Sequence, residues 1–184
     1  MTSMKKIGNN IQFNEQNNEL LVEIIPTFDQ KKYNLVLVWF IGWSLCGIAI
    51  ISQLFLDYSR NDKLFMVIFL ALWLYFEFHV LNALRWRKTG KEMIKINEKE
   101  LRYVKEIGGR GMEKIYDVAL CTPLKYEAGS PEGFLSSINQ SAWMIGVEVL
   151  EFTYKGNVRR LGIQLVKSDA EQLAKKINYF IKAQ

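Results

Sequence analysis

The chain is poor in the side chains on which most enzymes and metal proteins depend. Its 184 residues include one histidine, His79, and two cysteines, Cys46 and Cys121. One histidine rules out histidine-rich metal clusters and most nucleophile–base triads. The cysteines lie far apart, one inside an apolar run and one beyond it, with no further ligand at metal-site spacing. Both therefore read as free thiols of a reducing compartment. A phosphate loop is missing too: Gly108, Gly109 and Gly111 sit between two strand-like runs, without the following helix and Lys-Ser or Lys-Thr pair, and read as turn residues. The sequence thus predicts a chain that is no enzyme by itself and needs no cofactor.

Charge is the next scarcity. From Asn34 to Leu56 no residue carries a formal charge, and from Leu64 to Trp86 only Glu77 and Arg85 do. Each run is about 23 residues long, where about 20 suffice to cross a bilayer's hydrocarbon core. The residues between them, 57–63, have room only for a turn, so the prediction is an antiparallel pair of membrane-spanning helices, 34–56 and 64–86. Over residues 1–33 Lys5, Lys6, Lys31 and Lys32 balance Glu15, Glu19, Glu23 and Asp29, and the length of this polar stretch argues against a cleavable signal peptide. Lys31 and Lys32 precede the first run and Arg85, Arg87, Lys88, Lys91 and Lys95 end or follow the second. Between the runs Arg60 and Lys63 are offset by Asp57 and Asp62. Lys and Arg are retained on the cytoplasmic side, so both termini are expected there. The net charge of +5 reports this topology and gives no reason to expect nucleic acid as a partner.

Two features inside the runs invite contacts. Gly42, Cys46 and Ala49 lie at i, i+4 and i+7, a stripe of small residues along which another helix can approach; the second helix is its expected occupant, and a groove for another protein is the alternative. Glu77 and His79 sit roughly two turns inside Arg85, where an ionisable group costs about 2.5–3.5 kcal/mol at mid-depth. Two readings stay open for them. Either they meet a partner subunit or handle protons, or they reach the cytoplasmic interface and hydrogen-bond with Asn82 and nearby backbone. Haem ligation by His79 lacks a second histidine.

Beyond the second run the hydrophobic period changes to two. Residues 92–96, 101–107, 112–120, 143–154 and 158–166 read as strands, with turns at residues 108–111 and 155–157, and residues 20–25 read as another strand stopped by Pro26. An antiparallel sheet joined by hairpins follows. A last helix is marked by Ser168 and Glu171 as a capping box and by Leu173, Ile177, Phe180 and Ile181 as its apolar face, with Lys175, Lys176 and Lys182 on the wet side. The predicted organisation is an N-terminal cytoplasmic segment (1–33), a membrane hairpin (34–86) and an α+β soluble domain (87–184) whose sheet is closed by the C-terminal amphipathic helix.

That order of strands, a long loop, more strands and a closing helix resembles the pleckstrin-homology-like fold of bacterial membrane proteins. More narrowly, the second run ending in LNALRWRKTGKEMIKINEKEL, then IYDV, then EFTYKGNVRRLGIQLVKSDAEQLAKKI is similar to uncharacterised bacterial two-transmembrane-helix proteins. In these a hairpin leads through an exit such as Gly90–Lys91–Glu92 into the sheet. The resemblance runs from Leu20 onward and implies a fold and a bacterial inner membrane, with no activity to carry over. Tyr75, Glu77 and His79 depart from it, standing where small residues are expected, and so does the long loop of residues 127–142.

Two surfaces remain as candidate sites. Arg85, Arg87, Lys88, Lys91 and Lys95 crowd the membrane exit, where each gains about 1 kcal/mol beside anionic lipid headgroups, although retention of topology alone accounts for them as well. Phe134, Leu135 and Ile138 give the long loop an apolar centre, suited to a partner or simply to packing on the sheet. With Glu77 and His79 these residues outline an interaction module, an adaptor or accessory subunit binding other membrane proteins; a lipid-responsive module is the alternative.

Overall fold

The computed structural model describes residues 4–127 and 147–183. Nine strands, two long helices and a shorter C-terminal helix follow one another along the described chain. The first three strands, β1 (Lys5–Ile7), β2 (Ile11–Gln16) and β3 (Glu19–Ile24), precede the long helices α1 (Gln30–Gln53) and α2 (Arg60–Thr89). Then come β4 (Gly90–Ile96), β5 (Glu100–Ile107), β6 (Arg110–Asp117), a 3-10 turn (Val118–Leu120) and β7 (Lys125–Tyr126). Strands β8 (Glu148–Tyr154) and β9 (Asn157–Ile163) lead into α3 (Lys167–Lys182). The N-terminal segment thus holds three strands where one was expected, and a second, three-stranded sheet accompanies the expected one.

Strands β1 to β6 form one antiparallel meander in sequence order, and β7, β8 and β9 form the second sheet. Tight two-residue turns set the registers. Asn17 and Asn18 have φ of 50° and 58°, and Lys155 and Gly156 have 49° and 78°, the left-handed pair that joins twisted strands without splaying them. Asn and Gly tolerate that region where branched residues do not.

Strands β3 and β4 are direct neighbours, with Leu20 opposite Ile96 and Ile24 opposite Glu92, although both long helices separate them in sequence. The helical pair is therefore an elaborate connection inside a β-hairpin, and the chain must leave and return on one side.

Alternation decides which side chains are buried. Leu20, Val22 and Ile24 on β3 and Ile94 and Ile96 on β4 are buried, while Lys95 between them faces solvent. They meet Leu150, Phe152 and Leu161 of the second sheet and Leu173, Ile177 and Phe180 of α3 in one core. Each such side chain contributes roughly 1.5–3 kcal/mol on burial. Asn178 of α3 clamps the chain entering β7, accepting from the Leu124 amide at 2.9 Å and donating to the Leu124 carbonyl at 2.7 Å. The expected apolar face of α3 is the buried one, with Ile181 partly buried beside it; β1 and β6 remain free edges of the larger sheet.

The start of α3 differs from the expected capping box. Helical residues begin at Lys167, Val166 takes the cap position, and no side chain caps it. Ser168 then falls inside the first turn, where its hydroxyl donates to Asp169 at 3.1 Å, and Glu171 pairs with Lys167 at 3.9 Å.

Both long helices are long and apolar enough to cross a membrane. At 1.5 Å per residue, 24 and 30 residues span roughly 36 and 45 Å, against about 30 Å of hydrocarbon. The helices are offset from the apolar runs, α1 starting four residues early at Gln30 and stopping at Gln53, short of Leu56, and α2 running past its run at both ends, because capping, not hydropathy, sets where a helix starts. Asp29 accepts from the amides of Lys31 and Lys32, and Ser59 from that of Asp62.

Candidate functional site

The helix pair is joined by a narrow seam. Val36, Val80 and Leu84 are buried together with Tyr33, Leu37 and Phe40 packed against them. Farther along, Gly47 faces Trp73 so closely that a Cβ would lie 2.2 Å from the indole ring. Trp73 donates through Nε1 to the Trp43 carbonyl at 3.1 Å, bonding the helices across this contact. The small residue that admits α2 is therefore Gly47. The stripe of Gly42, Cys46 and Ala49, expected to receive α2, is exposed on the far side of α1, and nothing lies within 4 Å of a Cβ at Gly42.

Glu77 turns into the same seam and is hydrogen-bonded to the Ser44 hydroxyl of α1, its second carboxyl oxygen buried without a partner among the described residues. The other helix of the hairpin supplies this contact. Ser44 also lies 2.8 Å from the Phe40 carbonyl, and its single hydroxyl proton can serve only one of these two acceptors at a time. His79 points elsewhere. Its Nδ1 is 2.8 Å from the Tyr75 carbonyl and its ring lies 4.2 Å from the Tyr75 ring.

The basic cluster at the end of α2 divides into two groups. Lys91 reaches Glu23 at 3.2 Å and Glu106 at 3.9 Å, and Lys95 reaches Glu19 at 2.9 Å, so both serve as cross-strand pairs of the sheet. Arg85 and Lys88 are exposed and form no ion pair with a described residue. Arg87 is half-buried, with a buried Nε that has no partner among the described residues. Phe134, Leu135 and Ile138 lie outside the described residues.

Where α2 becomes β4 the joint is tightly packed. Trp86 is buried, and a Cβ on Gly90 would lie 2.4 Å from its ring, so only glycine fits there. Lys105 of β5 places its ammonium 5.1 Å from the Trp86 ring and 4.0 Å from Glu148 of β8. The Gly108 amide donates to the Thr89 carbonyl at 3.4 Å, setting the β5–β6 turn beside the helix end.

Glu92 is the most buried carboxylate in the described chain, at 0% exposure. It accepts from the Ile163 amide at 2.7 Å, the Gly162 amide at 2.8 Å and the Tyr103 hydroxyl at 3.2 Å. Gly162 has φ of 80° and Gln164 of 59°, a left-handed kink at the end of β9 that turns two successive amides toward one point. Glu92 thus rivets β4 in the large sheet to β9 in the small one. Burial pushes its carboxyl above the usual glutamate range, against the pull of those two amides. Burial likewise raises Glu148 and, with Glu92 alongside, Tyr103. The sequence contained a signal for Glu92: it alternates with Ile94 and Ile96 on the buried face of its strand.

Between the free edges of β6 and β9 opens a cleft of about 460 Å³ lined by Lys114, Tyr116, Glu148, Val158, Arg159 and Arg160. Arg160 is held by Glu151 at 3.2 Å. Among the described residues no three His, Cys, Asp or Glu side chains converge to hold a metal ion. No protein-family model matches the chain, and no curated protein or solved structure matches it significantly.

Proposed function

We propose that this chain is a non-catalytic, membrane-anchored interaction module, an adaptor or accessory subunit that binds other proteins of a bacterial inner membrane. The observation that carries the reading is the β3–β4 pairing, which fastens both ends of an apolar helix pair to one sheet domain. A rigid domain so held presents its surfaces at a fixed distance from the bilayer. The order of strands, second sheet and terminal helix supports a pleckstrin-homology-like description of that domain, with β1 and β2 as additions. The lysines and arginines beside the open ends of the helices support a cytoplasmic location for it and for both termini.

A lipid-responsive role is the second reading, favoured by the exposure of Arg85 and Lys88 where α2 leaves the membrane. Single cysteines at Ser59, Lys5 and Lys182, in a chain whose Cys46 and Cys121 are serine, test the topology with an impermeant maleimide. Ser59→Cys should label in intact cells and the other two only after lysis; labelling of Lys182→Cys from outside overturns the arrangement. Isolation in mild detergent at native abundance then separates the roles. Defined protein partners retained by an Arg85→Gln/Lys88→Gln variant support the adaptor. A chain recovered alone, whose bound anionic phospholipid disappears in that variant, supports the lipid reading instead.

A further inference from the structure

We infer that the face of α2 turned away from α1 binds the same face of a second copy of this chain. The inference rests on the reading of α1 and α2 as a membrane hairpin and adds to it the partner of one surface. Leu70, Trp73, Val80 and Leu84 are buried on the side of α2 that meets α1, and Glu77 is hydrogen-bonded there. Tyr75, His79 and Asn82 follow at i, i+4 and i+7 on the opposite side. Tyr75 is 56% exposed, and His79 and Asn82 are partly exposed. Three polar side chains in one stripe on the outer surface of a membrane helix would face hydrocarbon, where an unpaired donor or acceptor is costly.

The chemistry of the stripe is specific. A carbonyl oxygen can only accept, so the 2.8 Å contact with the Tyr75 carbonyl places an imidazole hydrogen on Nδ1, and in the Nδ1–H tautomer Nε2 is left as an acceptor. The Tyr75 hydroxyl is a donor, and the Asn82 amide is both donor and acceptor. No hydrogen bond ties the Tyr75 hydroxyl, His79 Nε2 or the Asn82 amide to another described residue.

This set is complementary to itself. A two-fold axis along the bilayer normal brings the same face of each copy together at the same depth. Asn82 then meets Asn82, each amide giving and taking one bond. The donor of Tyr75 and the acceptor of His79 lie about one turn apart, within the reach of two long side chains on crossing helices. Ala71, exposed one turn earlier on the same stripe, is small enough to let the backbones approach. A helix from a different protein would need a matching pattern of its own, whereas the second copy supplies it by symmetry.

The test uses the full chain in lipid nanodiscs and liposomes. In a background with Cys46 and Cys121 changed to serine, Ala71→Cys should form a disulfide-linked dimer on mild oxidation. The natural Cys46, on the far side of α1, should not do so when Cys121 alone is replaced. Tyr75→Phe combined with Asn82→Leu should lower the dimer fraction about tenfold at a fixed protein-to-lipid ratio, while Asn82→Gln retains it. Insertion, read by resistance to carbonate extraction and by the Ser59→Cys labelling, should be unchanged in every variant, which separates failure of this inference from failure of the membrane reading. The inference is overturned if wild type stays monomeric at all protein-to-lipid ratios, if Cys46 cross-links as well as Ala71→Cys, or if the double variant dimerises like wild type. Association of monomers with a helix of another protein through this face overturns it equally.

Discussion

Replacing Glu92 should damage the soluble domain more than any other single carboxylate change in the described chain, and the size of the effect can be worked out from its contacts. Glu92→Ala removes the acceptor from the Gly162 and Ile163 amides and the Tyr103 hydroxyl, all in a site with no exposure. A buried donor left unpaired costs about 1–3 kcal/mol, so the two amides alone cost roughly 2–6. Removing a carboxylate that burial already disfavours offsets part of this, and a net loss of about 3 kcal/mol follows. For a domain near 100 residues that corresponds to a fall in Tm of roughly 12–24 °C. The assay is thermal melting of the whole chain in micelles, joined to hydrogen exchange of the β9 amides, which should quicken by about a hundredfold. The pH dependence has a definite sign. Burial holds the folded carboxyl above its unfolded value, so the stability tied to protonated Glu92 is fully present below the unfolded value and is lost as pH rises through the folded one. Glu92→Gln, which cannot titrate, should escape that decline, and its deficit against wild type should narrow as pH rises. An alanine variant that melts with wild type and exchanges its β9 amides no faster would refute the rivet.

Two further changes probe the packing directly. Gly47→Val forces a branched side chain into the Trp73 ring and should cost about 1–3 kcal/mol of helix association; a Val36→Cys/Val80→Cys disulfide, made in the cysteine-free chain, should form more slowly in its presence. Ile177→Asp sets a charge into a site of 0% exposure and should cost roughly 3–5 kcal/mol, enough to abolish cooperative melting of the sheet domain while membrane extraction behaviour stays normal.

The helix pair was legible because two long apolar runs separated by a short polar stretch have few other uses. Its internal register was not. Gly42, Cys46 and Ala49 satisfy the spacing for close approach as well as Gly47 does, and only the position of Trp73 on the other helix decides between them. The fate of Glu77 depended in the same way on Ser44, 33 positions away. Strand β3 announced itself through Leu20, Val22 and Ile24, whereas β1 is short and β2 largely polar, and they acquire their pairing in turn, β2 from β3 and β1 from β2. The Ser168–Glu171 spacing fitted a capping box, yet Lys167 is already helical and the cap falls one residue before it. The split of the basic cluster was hidden because Glu19 and Glu23, which take Lys95 and Lys91, lie on the far side of both long helices in the sequence.

The pairing of β3 with β4 also imposes an order on biosynthesis. At roughly 5–20 residues per second, several seconds pass between the synthesis of Ile24 and that of Gly90. Throughout that interval the edge of β3 that will receive β4 is bare, with Leu20, Val22 and Ile24 still waiting for their cover. Packing of α1 against α2 ends the wait, since it carries the two strand ends to neighbouring points. Once the ladder has zipped, it acts as a clasp: drawing the helices apart at this end means tearing β3 from β4.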